Sequence, residues 1–237
     1  CCYQKAYQEF PKEKTLLLGN PRASVIVHEQ PKDVYDEYHL DRQKKVVTIV
    51  MGSLGSQTVN QTMKECMDQF KGKDYQVVYV SGKPYYESMK AYENENVHIV
   101  PYVNDMPSLM HITDLIVSRA GASTLAELTA LGVPAILIPS PYVSANHQEY
   151  NARELVNNQA ADMILEKDLT GEKLISTIDG VIKRPEPGEN ASSKYIDVIG
   201  GDGQQIATVN LAVSPRIMSA DEVYECFDRA YEEVIVT

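Results

Sequence analysis

No apolar stretch in this 237-residue sequence approaches the roughly 18–20 residues that a membrane-spanning helix needs. Basic residues are scarce, 22 against 33 acidic ones, giving a formal net charge of −11. A nucleic-acid partner needs a basic face, so this balance argues against that class. It argues equally against a chain that holds an anionic membrane surface by its own charge. The four cysteines (Cys1, Cys2, Cys66 and Cys226) form no Cys-x-x-Cys pair and have no histidine at metal-ligand spacing, so they read as reduced cytosolic thiols. The Walker Gly-Lys-Ser/Thr signature is missing, which weakens any ATPase reading. No internal repeat is visible. The opening Cys1-Cys2-Tyr3-Gln4-Lys5 has neither an initiator Met nor the apolar core of a signal peptide, and it reads as a start inside a longer protein.

What is present is enough apolar material for a core. Hydrophobic residues make up 43% of the chain and are dispersed along it, so one large domain or two small ones are expected. From residue 45 onward, short apolar runs alternate with stretches of helical periodicity. Strands are expected at 46–51, 76–81, 97–103, 114–117, 135–138 and 163–165. Helices are expected between them at 57–70, 84–92, 105–111, 124–131, 147–157 and 170–178. This alternation predicts an α/β fold, a Rossmann-like doubly wound parallel sheet with both faces covered. Before it, residues 3–10 read as the end of a helix, 14–18 as a short strand, and 34–40 as a short helix.

After residue 179 the texture changes. Residues 183–193 are a linker by composition. Residues 195–199 and 204–213 read as a β-hairpin, and 219–236 as an amphipathic helix opened by a Ser219/Glu222 capping box. Three units are therefore expected: residues 1–20 as a hinge from a preceding domain, 21–179 as the Rossmann-like domain, and 180–237 as a small α+β tail.

Ligands of doubly wound sheets sit outside the carboxyl ends of the strands. Three turns fall at that edge. In Ser118-Arg119-Ala120-Gly121-Ala122-Ser123-Thr124-Leu125-Ala126-Glu127, a strand passes through a small-residue turn into a helix. That geometry presents backbone N–H groups and a positive dipole end to a phosphate. Glu127 lies one turn into the helix, where a carboxylate would repel phosphate but suits the hydroxyls of a neighbouring sugar. The pairing points to a nucleotide or nucleotide-sugar. Gly52-Ser53-Leu54-Gly55-Ser56 is a second such turn; its glycines fit either approach to a pyrophosphate or tight turning alone. The third, Asn146-His147-Gln148, puts an imidazole and a carboxamide at another helix start. These serve as sugar-hydroxyl partners or as an ordinary polar cap.

Taken in order, Gly19-Asn20-Pro21-Arg22, Met51-Gly52-Ser53-Leu54-Gly55-Ser56 with Asn60-Gln61-Thr62, Tyr102-Val103-Asn104-Asp105-Met106, Ser118 through Glu127, and Asn146 through Ala152 carry a resemblance. Residues 1–179 resemble the carboxyl-terminal half of the MurG-type N-acetylglucosaminyltransferases, two-domain GT-B enzymes of glycosyltransferase family 28. That resemblance implies binding of UDP-N-acetylglucosamine and inverting transfer of the sugar to lipid I in peptidoglycan synthesis. It implies that Val103 meets the uracil through its backbone and that Glu127 takes the ribose hydroxyls. Ser53, Ala122, Ser123 and Thr124 would surround the diphosphate, with Arg22 adding positive charge. His147 and Gln148 would address the sugar, and Gly55, Asn60 and Arg119 complete the donor-binding set. Met51 stands where the family often has a second Gly, and His147 where it often has Gln.

In that family the amino-terminal domain supplies the acceptor site, the membrane-facing surface and the proposed catalytic base. A cytoplasmic location at the inner membrane face is implied through that domain. No Asp-x-Asp pair lies near the phosphate turns, so neither a metal nor a cofactor is expected. Two rival readings share the donor site: a stand-alone donor subunit of a split transferase, and a UDP-sugar-binding module without catalysis.

Overall fold

The computed structural model describes residues 11, 14, 20–158, 160–184, 195–199 and 205–210. Six strands form one parallel sheet: β1 (Lys45–Val50), β2 (Tyr75–Val80), β3 (Val97–Val100), β4 (Leu115–Ser118), β5 (Ala135–Leu137) and β6 (Asp162–Met163). Their spatial order is β3-β2-β1-β4-β5-β6. The helices are α1 (Pro21–His28), α2 (Gln57–Cys66), α3 (Tyr86–Met89), α4 (Met106–His111), α5 (Ala122–Leu131), α6 (His147–Asn157) and α7 (Gly171–Ile182).

The strands read as unbroken apolar runs because both faces are covered. Along β1, Val47 and Ile49 face one layer with Val59, Met63 and Cys66 of α2 and Leu174 and Ile178 of α7. Val46 and Val50 face the other, with Ile26 of α1, Leu109 of α4 and Leu125 and Leu128 of α5. Period-two side-chain alternation thus feeds two cores from a single strand. The polar exception, Thr48, is fully buried and shares a 2.7 Å hydroxyl hydrogen bond with Thr113.

The winding reverses between β1 and β4. The chain steps outward from β1 to β2 to β3, then returns across α4 to the other side of β1. The loops leaving β1 and β4 therefore part in opposite directions and open a crevice at the carboxyl edge.

Several expectations need correction. A helix stands after Asn20, where no element was expected: Asn20 caps α1, its Oδ1 accepting from Arg22 N at 3.0 Å, and Pro21 occupies the first turn. Residues 34–40 form turns, not a helix. Val34 and Tyr38 are buried at helical spacing, but His39 takes φ 54° and ends any helical continuation. The third strand stops at Val100, and the stretch expected at 84–92 is a single α-turn, Tyr86–Met89, followed by a 3₁₀ turn. Helix α5 begins at Ala122, two residues before Thr124, and α7 continues through residue 179 to Ile182. The hairpin is present as antiparallel β7 (Tyr195–Ile199) and β8 (Gln205–Asn210). The expected elements at 3–10 and 219–236, most of the expected strand at 14–18, and the linker from residue 185 onward lie outside the described residues. Among the described residues no helix is long and apolar enough to cross a membrane.

Two glycines fix the loop after β1 against the loop after β2. Gly55 has φ +73°, and a Cβ there would collide with the Ser81 carbonyl oxygen. Gly82 has φ +88°, and its Cβ would stand 2.5 Å from the Leu54 carbonyl oxygen. Gly52 also has φ +77°, but a Cβ there meets nothing within 4 Å. Gly52→Ala should therefore cost roughly 1–2 kcal/mol, the penalty of a left-handed conformation. Gly55→Ala should cost clearly more, since the collision adds to it. Urea unfolding of both variants checks the order; equal losses would show that the backbone contact at Gly55 relaxes freely.

Candidate functional site

A cleft of about 710 Å³ opens at the crevice between β1 and β4. Its floor and walls come from the loop 51–56, the start of α2, the Tyr102-Val103 loop, the turn at 119–121 and the first turns of α5. Ser140, Tyr142 and Gln148 close one side. The loops converge here because consecutive βα units all end at the same sheet edge.

Two helix amino termini flank the crevice. α2 is capped by Ser56, whose hydroxyl accepts from Val59 N at 3.4 Å. α5 starts from Gly121, with no side-chain cap and no acidic residue in its first turn. Its positive dipole end is therefore not offset by a nearby carboxylate of its own first turn. Beside it, Val103 is buried in the wall of the cleft. The loop carrying Val103 is held by Asp105, which caps α4 by accepting from Ser108 N at 3.1 Å. That backbone hydrogen bond and the nearby Lys32 keep the Asp105 carboxyl below its ordinary range.

Of the twelve side chains and glycines expected at the donor site, Ser53, Gly55, Val103, Arg119, Thr124, Glu127 and Gln148 line this one cleft. Glu127 stands just inside α5, with its side chain 13% exposed. Arg22 is outside the lining but reaches Glu127: Nε donates to Oε1 at 2.7 Å and Nη2 lies 2.6 Å from the same oxygen. Its charge is thus engaged by a carboxylate rather than offered to the cleft. Gln148 is fixed at the rim, its Oε1 accepting from Ser140 N at 2.9 Å.

The remaining expected residues sit elsewhere. Ala122 and Ser123 belong to the α5 amino terminus but do not line the cleft, and Ser123 is exposed. His147 starts α6, is exposed, and shares a 2.9 Å hydrogen bond between Nδ1 and the Ser144 carbonyl. It stands outside the cleft, in the position of an ordinary helix-start residue. Asn60 is buried beneath the loop. Its amide nitrogen donates to the Ser56 and Ser81 carbonyls at 2.9 and 3.1 Å, and its Oδ1 accepts from Tyr79 Oη at 2.7 Å. Its side chain is used up in tying the loop after β1 to β2.

Among the described residues, Arg119 is the sole cationic side chain in the lining, and it is also engaged. Nη1 donates to the Ile138 carbonyl at 3.0 Å, Nη2 donates to Ser56 Oγ at 2.9 Å, and Nη2 pairs with Glu166 Oε2 at 2.5 Å. Sequence reasoning missed Glu166, Tyr102, Ser140 and Gly82. Glu166 lies in a charged segment that reads as surface, although the residue is only 7% exposed. Among the described residues, no group of three or more His, Cys, Asp or Glu side chains could hold a metal ion.

A family model described as the glycosyltransferase family 28 C-terminal domain matches residues 46–199. The chain belongs to glycosyltransferase family 28. The family match passes the expected boundary at 179 and takes in β7, while residues 200–237 fall outside it. A Bacillus cytotoxicus relative described as UDP-N-acetylglucosamine--N-acetylmuramyl-(pentapeptide) pyrophosphoryl-undecaprenol N-acetylglucosamine transferase is 43% identical over 194 residues, 80% of this chain and 53% of the relative. A Bacillus subtilis protein of the same description is 42% identical over 186 residues, 76% of this chain and 51% of its own length. The chain thus spans about half the length of the curated relatives it matches. The crystal structure of Acinetobacter baumannii MurG shares the fold, with TM-score 0.57 at 22% identity over 89% of this chain and 53% of that one. The glycosyltransferase VinC in complex with dTDP does so with TM-score 0.54 at 18% identity, over 86% of this chain and 43% of its own.

If Asn60 is a tie rather than a ligand, Asn60→Ala should lower folding stability by roughly 1–3 kcal/mol, the cost of leaving buried partners unsatisfied. Chemical unfolding measures this directly. Unchanged stability together with lost nucleotide binding would return Asn60 to the ligand set.

Proposed function

We propose that this chain is the donor-binding half of a family 28 transferase, one that takes UDP-N-acetylglucosamine and serves transfer of the sugar to lipid I. The observation that carries the reading is a single carboxylate, Glu127, placed one turn inside an uncapped helix that faces a second helix amino terminus across the β1/β4 crevice. A nucleoside diphosphate presents matching chemistry: two phosphates for the helix ends and a vicinal diol for the carboxylate. Both guanidinium contacts to Glu127 fall on Oε1, and no described residue bonds Oε2, so the second oxygen keeps its capacity to accept from ribose. Val103, buried in the cleft wall, is where this reading puts the base. The relatives' descriptions support the sugar and the acceptor.

Catalysis needs more than this cleft. GT-B enzymes bring donor and acceptor together between two domains, and proximity of that kind accounts for roughly 7–11 kcal/mol of a barrier. In this reading the half of the relatives not spanned here provides the acceptor site, the base and the contact with the cytoplasmic face of the membrane. This chain stabilises the departing UDP by helix-end electrostatics.

Calorimetry with UDP, ADP and 2′,3′-dideoxy-UDP tests the reading. UDP should bind more tightly than ADP. Glu127→Ala should weaken UDP by roughly 1.5–3 kcal/mol, as for a hydrogen bond to a charged group, and should barely affect the dideoxy analogue. Equal affinity for ADP would remove base recognition from the Val103 loop, and equal losses for the two uridine ligands would make Glu127 a helix residue and no more.

A further inference from the structure

From the end of β4, the Arg119 guanidinium touches segments that follow three other strands of the sheet. It leaves the end of β4, reaches Ile138 just past β5, caps onto Ser56 between β1 and α2, and pairs with Glu166 in the 3₁₀ turn after β6. These strands are neighbours in the order β1-β4-β5-β6. Both partners of the ion pair are largely withdrawn from water, with side chains 13% and 4% exposed for Arg119 and Glu166. The contact is one of charge alone, since Glu166 Oε2 has no hydrogen-bond partner among the described residues.

We propose that Glu166 is a positioning residue of the donor site. It holds the Arg119 guanidinium in one orientation, and through it sets the spacing between the amino termini of α2 and α5. Where a diphosphate is the ligand, as in the function proposed above, that spacing decides how well both helix ends reach it at once.

Three features of the contact support this role over two simpler ones. An exposed pair would be screened and weak, but this pair is buried. A buried pair adds little net stability, because desolvation offsets attraction, so its effect lies in geometry. Finally, Arg119 donates to Ile138 and Ser56, and its charge is matched by the Glu166 carboxylate. It is therefore a poor candidate for a cation that grips phosphate directly, and a good one for a fork that ties the loops after β1, β5 and β6 to the end of β4. The hydroxyl it holds is the one that caps α2, so displacement of Arg119 acts on the first turn of that helix.

The test uses the whole chain with Glu166→Gln and Arg119→Lys. Glutamine keeps the shape of the side chain and removes its charge. Lysine keeps the charge but lacks the rigid fork whose two nitrogens reach Ile138 and Ser56 separately. Amide hydrogen exchange without ligand reads the brace itself. The amides of Asn60 and Leu125, which close the first turns of α2 and α5 on the Ser56 and Gly121 carbonyls at 2.9 Å each, should exchange about tenfold faster in both variants. The amides of Ile49 and Val117, inside β1 and β4, should be unchanged. Calorimetry then reads the consequence: UDP affinity should fall about tenfold while uridine affinity stays within about twofold, because only the diphosphate depends on the two helix ends being pre-set.

Unaltered exchange at Asn60 and Leu125 overturns the proposal. So does faster exchange at all four amides alike, which marks a general loss of stability, and so does an equal loss for UDP and uridine. A wild-type chain that fails to bind UDP overturns the donor reading instead, and the exchange data still decide whether Glu166 braces the edge.

Discussion

The reversal of winding between β1 and β4 is the constraint on which this molecule's site depends. Two adjacent parallel strands send their following helices to opposite faces, so no chain crosses the gap between their carboxyl ends. The gap must nevertheless be held at a fixed width, or the helix amino termini on either side would not face one ligand. Covalent connectivity does not hold it, since Ser56 and Arg119 are 63 residues apart. Side chains do. The Arg119 fork spans it from one side, and the close contact of Gly55 and Gly82 with neighbouring backbone sets the loop after β1 from the other.

The electrostatics follow from that arrangement. Each arginine at or beside the cleft is matched by a carboxylate, Arg22 by Glu127 and Arg119 by Glu166. The positive potential for an anionic ligand then rests on helix ends, which are fixed by backbone geometry and need no reorganisation on binding. A chain of net charge −11 can hold a doubly charged diphosphate in this way without a basic patch. The opposite edge of the sheet has another character. A smaller cleft of about 460 Å³ there gathers Lys45, Lys183 and Arg184, but Lys45 donates to the Ile182 carbonyl at 3.1 Å and Arg184 pairs with Asp162 at 2.9 Å.

Much of this was legible in the sequence, for reasons that can be named. β-branched runs bounded by small-residue turns marked the central strands, and the start of α6 at His147 followed from the apolar spacing beyond it. The crevice was legible because the glycine turns lie where a doubly wound sheet gathers its ligands. What escaped was local chemistry outvoted by neighbours, or pairing over distance. Asn20-Pro21 is a sound helix start, but the helix it opens has only eight residues, too few for a periodic pattern to stand out. Val34 and Tyr38 have helical spacing because turns can also bury two apolar residues on one side. Asn60 looks like a polar member of a loop-to-helix motif, and only Tyr79 and Ser81, from a different strand and the loop after it, reveal it as a tie. Glu166 sits among Lys167 and Asp168, and no local pattern announces that one charge of the three is buried against Arg119.

In the proposed function, a nucleoside diphosphate lies across the β1/β4 crevice, between the two helix ends. Backbone amide chemical shifts recorded by NMR as UDP is added test it most directly. Shifts should concentrate at Gly52 to Ser56, at Val103, and at Gly121 to Thr124, while the amides of Lys45, Asp74 and Lys183 at the far edge stay still. Shifts gathered around Lys45, Lys183 and Arg184, with the crevice unmoved, would contradict it.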